Sequence, residues 1–166
     1  FLDYTAKYTF FKSGRIDVEL SAEFDDTRTF IPRLGFEFKV KETDFEYFGY
    51  GPMESYIDMH NASRMGYYKS SAYDEYVDYV MPQEHGNHYN TRMLSMDSGL
   101  EFAGDDVFEF NVSEYTSTVL ENAEHIDELV KNGYTNLRID YKVSGIGSNS
   151  CGPQLEEKYR LNEKHI

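Results

Sequence analysis

A mainly β fold of antiparallel sheets facing each other, with one or two short helices, is predicted by three observations on this chain. Apolar and polar residues alternate in several separated runs, a single segment switches to helical spacing, and Gly- and Pro-punctuated stretches divide the runs. Alternation with period two places one strand face in a core and the other in water, which is the signature of antiparallel sheets. With no fixed-period repeat, low-complexity tract or internal linker, residues 1–166 are expected to form one domain.

Taken in order, Tyr4, Tyr8 and Phe10 open a strand-like rhythm close to the first residue. Ile16, Val18, Leu20, Ala22 and Phe24 alternate with Asp17, Glu19, Ser21 and Glu23, which predicts a strand. Phe36, Phe38 and Val40 against Glu37, Lys39 and Lys41 repeat the pattern. So do Phe108, Phe110 and Val112, and then Leu137, Ile139, Tyr141 and Val143. Between them the apolar residues from Tyr115 to Val130 fall at helical spacings, with Ser113 as the expected N-cap and Gly133 as the stop.

Bulk properties exclude several classes of function. A net charge of −14 and a pI near 4.7 oppose binding to nucleic acid or to an anionic membrane surface. No apolar run approaches the roughly 20 residues that span a bilayer. The single cysteine, Cys151, forms no internal disulfide, so a reducing, cytoplasmic setting is expected. Because residue 1 is Phe rather than an initiator Met and strand rhythm begins at Tyr4, an upstream neighbour is expected in a longer polypeptide.

Function is expected in two Pro-punctuated loops, Gly49–Asp58 and Tyr79–Asn87, which crowd rings, carboxylates, amides and an imidazole between strands. Such side chains suit a hydroxyl-rich ligand, since a ring stacks on an apolar sugar face while polar groups take its hydroxyls. Gly49, Gly51 and Pro52 are read as the shapers of a tight turn. Glu54, Tyr56 and Asp58 are read as braces, and Glu84, His85 and Asn87 as pocket lining or as a hydrogen-bonded structural cluster. Arg92 is the expected ion-pair partner of one of these carboxylates, and His125 is read as a satisfied core or interface imidazole. Glu84, His85 and His88 sit on a loop with no third ligand fixed by spacing, so no metal is expected in this domain.

Four motifs in order carry a resemblance: Ile31–Phe36, Gly49–Asp58, Tyr79–Asn87 with Arg92, and Gly145-Ile-Gly-Ser-Asn-Ser-Cys-Gly-Pro153. Together they resemble the C-terminal, small-chain region of the bacterial β-galactosidases of glycoside hydrolase family 2, across Arg15 to Tyr159. The resemblance implies a large β-sandwich of the galactose mutarotase type, the supersandwich, closing a sugar pocket beside a separate (β/α)8 barrel. It implies a partner barrel with further domains of the same enzyme, a β-galactoside substrate and a homo-oligomer. It also implies that the catalytic glutamates and the magnesium ligands lie on the barrel, so no catalytic residue is expected here and the fragment alone is expected to be inactive. Retaining hydrolysis needs two carboxyls about 5 to 5.5 Å apart, a spacing that 30 acidic residues can meet by chance.

The substrate-binding residues implied are Asn149, Ser150 and Cys151, with Glu84 and His85. Cys151 stands where the best-known branch carries a stacking tryptophan, and a thiol cannot stack like an indole. A small buried thiol filling a Gly-rich turn is the other reading of that position. Two alternatives for the whole chain remain at this point: a free-standing mutarotase-like epimerase with Glu84 and His85 as base and acid, or a carbohydrate-binding module.

Overall fold

The computed structural model describes residues 2–24, 30–147 and 152–166. Among the described residues eight strands form two antiparallel sheets, one of two strands and one of six, so the mainly β class read from the alternation is the class observed. The first sheet is a hairpin of β1 (Leu2–Phe10) and β2 (Ile16–Phe24), in unbroken register from Leu2 opposite Phe24 to Phe10 opposite Ile16. Its even-numbered, largely apolar positions therefore share one face, and Asp3, Lys7, Asp17 and Glu19 lie on the other. The C-terminal residues extend this sheet, with the Ala22 amide donating to the Ile166 carbonyl and the Phe24 amide to that of Lys164.

The large sheet contains β3 (Arg33–Val40), β4 (Asp44–Gly51), β5 (Arg64–Ser71), β6 (Asn87–Met96), β7 (Glu101–Ser113) and β8 (Thr135–Val143) in the order β3-β8-β7-β6-β4-β5. Cross-strand register builds one apolar face from Phe110 opposite Ile139, Val112 opposite Leu137, and Leu94 opposite both Tyr47 and Phe102. Phe45, Tyr47, Leu94, Met96, Phe110, Val112 and Leu137 are essentially sealed there. At the margin of that face the Phe38 and Phe102 rings meet at 5.5 Å. Buried aliphatic and aromatic side chains of this kind contribute about 1.5 to 3 kcal/mol each. A smaller core of Ala22, Ile31, Leu34 and Leu161 joins the base of the hairpin to the start of β3 and the C-terminal segment.

The structure differs from the sequence reading in several places. The helical segment is shorter than expected, with α1 at Ser117–Asn122 and a 3-10 turn at Ile126–Glu128. Its cap is Thr116, whose hydroxyl accepts from the Val119 amide at 3.2 Å; Ser113 belongs to β7, paired with Asn136. Strands β5 and β6 escaped the alternation, because Tyr67 and Tyr68 put rings on both faces of β5 and register shifts interrupt β6 between His88 and Met93. Gly49 and Gly51 close β4 instead of forming a free loop. Finally, the hairpin's apolar face is covered only at its base: Ile16 and Val18 are exposed where Ala22 is buried.

Candidate functional site

On the face of the large sheet opposite the aromatic core, three connections converge: residues 52–59 after β4, residues 79–86 before β6, and the turn from Gly145 after β8. Gly51 sets the entry to the first of them. A Cβ there would lie 2.1 Å from the Tyr47 hydroxyl, so the chain can leave β4 at this point only as glycine. Ser55 then docks against the start of β6: its amide donates to the Asn87 carbonyl at 2.6 Å, and its hydroxyl accepts from the Tyr89 amide at 3.0 Å.

Two carboxylates of the first connection fasten the other two. Glu54 accepts from the Tyr79 hydroxyl, from the Gly86 amide at 2.8 Å and from the Tyr56 hydroxyl at 3.2 Å. Burial and the adjacent Glu54 charge push the Tyr79 phenol up to about 12, so it remains a donor at neutral pH. Asp58 accepts from the amides of Ile146 at 3.1 Å and Gly147 at 2.8 Å. Its Cγ would stand 2.6 Å from a Cβ at Gly145, which only glycine avoids. Hydrogen bonds from a charged acceptor to backbone amides contribute about 1.5 to 3 kcal/mol each.

Beneath these connections lies a buried charged network that the alternation had assigned to water. Arg138 on β8 is 5 % exposed; its Nη2 donates to the Ser117 hydroxyl at 2.7 Å and its Nε lies 3.5 Å from Glu37. Arg33 Nη2 meets Glu84 at 2.5 Å and Asp140 at 3.6 Å. Arg138 Nη1 is 3.1 Å from the same Glu84 oxygen but is not aligned for a hydrogen bond. Glu109 and Asp140 are direct cross-strand neighbours, both nearly sealed from solvent. Glu109 accepts from Asn87 Nδ2 at 2.6 Å and from the Val143 amide at 3.1 Å. Burial pushes Glu109 up to about 7 against the pull of those two donors, and pushes Asp140 up to about 6 against Arg33 and Arg138.

The expected site residues fall into three groups. Glu84 is half-exposed and bridges Arg33 and Arg138. His85, adjacent in the chain, is buried and engages different partners: its Nδ1 lies 2.7 Å from the Gln83 carbonyl, its ring meets Tyr76 edge-on at 4.9 Å, and its carbonyl accepts from Asn111. Asn149, Ser150 and Cys151 lie outside the described residues. Arg92 is exposed on the irregular stretch of β6 and forms no ion pair among the described residues. His125 caps the 3-10 turn on the surface, 3.2 Å from Glu128, so it is not a core imidazole of this domain. His88 turns to the aromatic side of the sheet, stacked on Phe110 and paired with Glu75 at 2.8 Å. Among the described residues, no group of three or more His, Cys, Asp or Glu is placed to hold a metal ion.

Sequence reasoning missed Arg33, Glu109, Asn111, Arg138 and Asp140. Each occupies the outward phase of a strand, where a charged residue reads as solvated.

Residues 2–166 match the family described as the β-galactosidase small chain. This chain belongs to that family. It is 43% identical over 162 residues to a β-galactosidase of Actinobacillus pleuropneumoniae, a match covering 96% of this chain and 16% of the relative. β-Galactosidases of Staphylococcus xylosus and Kluyveromyces lactis are each 34% identical, each match covering 93% of this chain and 16% of the relative. The small-chain domain thus spans about one-sixth of the curated relatives it matches, and the three converging connections are features of that fragment.

Proposed function

We propose that this small-chain domain forms one wall of the galactoside pocket of a longer β-galactosidase, a retaining enzyme of glycoside hydrolase family 2 that acts on terminal β-galactosides. One observation carries the reading: Glu54 and Asp58 bind the connections at 79–86 and at 145–147 to a single loop, making one braced unit of segments otherwise far apart in sequence. A unit so tied holds polar groups at fixed positions, as sugar recognition requires. Asn149, Ser150 and Cys151 come one residue beyond the Gly147 amide held by Asp58 and are the sugar-contacting residues in this reading. The acid, the nucleophile and any magnesium belong to the remainder of the enzyme. Glu84 is engaged by two arginines and His85 by a backbone carbonyl, which favours this role over an acid–base pair of a mutarotase-like epimerase.

Asp58→Asn in the full-length enzyme tests the proposal. Loss of the charged acceptor should raise KM for a nitrophenyl β-galactoside about three- to tenfold, the equivalent of one hydrogen bond, with a smaller change in kcat. Unchanged KM and kcat in a variant whose circular dichroism matches the parent would remove the pocket-wall role.

A further inference from the structure

The turn that leads into β8 reads Lys131-Asn-Gly-Tyr134, and all four residues are exposed. Within it the side chain of Asn132 belongs to a directed chain of amides. Its Oδ1 accepts from the Tyr134 amide at 3.0 Å, its Nδ2 donates to Asn136 Oδ1 at 3.1 Å, and Asn136 Nδ2 donates to the Ser113 carbonyl at 3.2 Å. A backbone N–H begins the chain and a backbone carbonyl ends it, which fixes the orientation of both side-chain amides. Asn136 is 1% exposed, so the inner end of the chain lies out of reach of water. The entry of β8 is thereby tied to the last residue of β7.

The same contacts prepare chemistry inside the turn. Gly133 lies at φ +77°, and a Cβ built there would meet nothing within 4 Å, so its amide approaches the Asn132 side chain unhindered. That amide donates to no acceptor among the described residues. The Tyr134 N–H polarises the Asn132 side-chain carbonyl and points at the oxygen on which negative charge develops when it is attacked. The Lys41 ammonium, 3.4 Å from the Gly133 carbonyl and 3.8 Å from the centre of the Tyr134 ring, adds a positive charge beside the turn.

We propose that Asn132 and Gly133 form a self-modification site, at which the Gly133 nitrogen attacks Asn132 Cγ and water completes the conversion to aspartate and isoaspartate. The Gly133 N–H proton passes to hydroxide and the new bond to Cγ closes a succinimide ring. The bond from Cγ to Nδ2 breaks, and that nitrogen takes a proton from water and leaves as ammonia. Water then opens either ring carbonyl, so the only co-reactant is water. The amide chain cannot absorb the product. A carboxylate at 132 still accepts from Tyr134 but has no proton for Asn136 Oδ1. If the Asn136 amide turns over to donate to it, its oxygen then faces the Ser113 carbonyl, and two acceptors are opposed either way. Isoaspartate also adds a backbone carbon just ahead of β8. The modification therefore loosens the junction of β7 and β8, and it is independent of any contact with sugar.

Peptide mass spectrometry of the full-length enzyme, aged at mildly alkaline pH in water enriched in heavy oxygen, tests the site. Asn132 should convert at least about tenfold faster than Asn61 and Asn162, exposed asparagines followed by residues with side chains. Its product should carry heavy oxygen and include an isoaspartyl form. Asn132→Gln, whose longer side chain closes a ring on the next amide far more slowly, should stay unconverted. No conversion at 132, or conversion no faster than at Asn61 and Asn162, would overturn the proposal. Hydrogen exchange of Asn132→Asp in the full-length enzyme reads the consequence. The amides of Ser113 and Asn136, where β7 and β8 meet, should exchange about tenfold faster than in the parent, the equivalent of one lost hydrogen bond. Unchanged exchange there would overturn the role given to the amide chain. The kinetics of Asp58→Asn judge the pocket wall separately, so either proposal can fail while the other stands.

Discussion

The two faces of the six-stranded sheet each hold a buried centre, and the two centres are closed by opposite means. On one, Tyr47, Leu94, Phe110 and Leu137 seal the surface with rings and branched chains packed on one another. On the other, Glu109, Asn111, Arg138 and Asp140 are equally sealed, but by connections that arrive from three places in the sequence and are fastened by carboxylates. The apolar face needs only to exclude water. The polar face hides charges, and so its side chains lean on particular partners: Glu109 on Asn87 and the Val143 amide, Arg138 on Ser117, Asp140 on the Arg33 charge.

That difference is open to a direct challenge. Phe110→Ala and Arg138→Ala should destabilise the full-length enzyme by similar amounts near pH 8, about 3 to 5 kcal/mol each, one through a cavity and the other through stranded charges. At pH 5 the two should part. Asp140 titrates near 6, so acid neutralises the carboxylate that Arg138 leaves behind, and the deficit of Arg138→Ala should shrink while that of Phe110→Ala stays. Denaturant midpoints at the two pH values decide it; equal deficits at both would show that the polar face is held by packing alone.

A second, smaller effect concerns Glu109. Its folded value, about 7, lies above that of an unfolded glutamate, so the folded state holds more protons across the interval between them. Its contribution is therefore fully present below the unfolded value and is lost as pH rises through 7. Glu109→Gln should flatten the fall in stability between pH 5 and 8, on the order of 1 to 3 kcal/mol by the linkage relation. Parallel profiles for variant and parent would rule out Glu109 as the titrating group.

The smallest effect is local. Glu54→Gln keeps the shape but removes the charge that receives Tyr79, Tyr56 and the Gly86 amide, at a cost of about 1 to 2 kcal/mol. Exchange of the Gly86 amide should quicken about tenfold with the apolar face unaffected; no change there would mean that the loop is held without its carboxylate.

How much of this was legible follows from the same contrast. Ile16–Phe24, Phe36–Val40, Phe108–Val112 and Leu137–Val143 declared themselves because apolar burial leaves a period of two. Alternation says nothing about whether the polar phase meets water or a loop, so Glu109, Arg138 and Asp140 passed for surface residues. Tyr67 and Tyr68 hid β5, and the bulges of β6 hid a strand whose His88 and Asn87 face opposite sides. The motifs at 49–58, 79–87 and 145–153 were readable as a family signature, since glycine and proline at fixed offsets survive translation into sequence. What they share in space, the carboxylates of Glu54 and Asp58, is a long-range relation that no local pattern encodes.

Gly145 and Asp58 also constrain how such a domain can change. A β-carbon at 145 and a carboxylate at 58 claim the same volume, so neither position drifts alone. In a library randomised at both, survivors should come as matched pairs, glycine with aspartate or a larger residue with a shorter one. Two codons nearly ninety residues apart would then be inherited as a single trait.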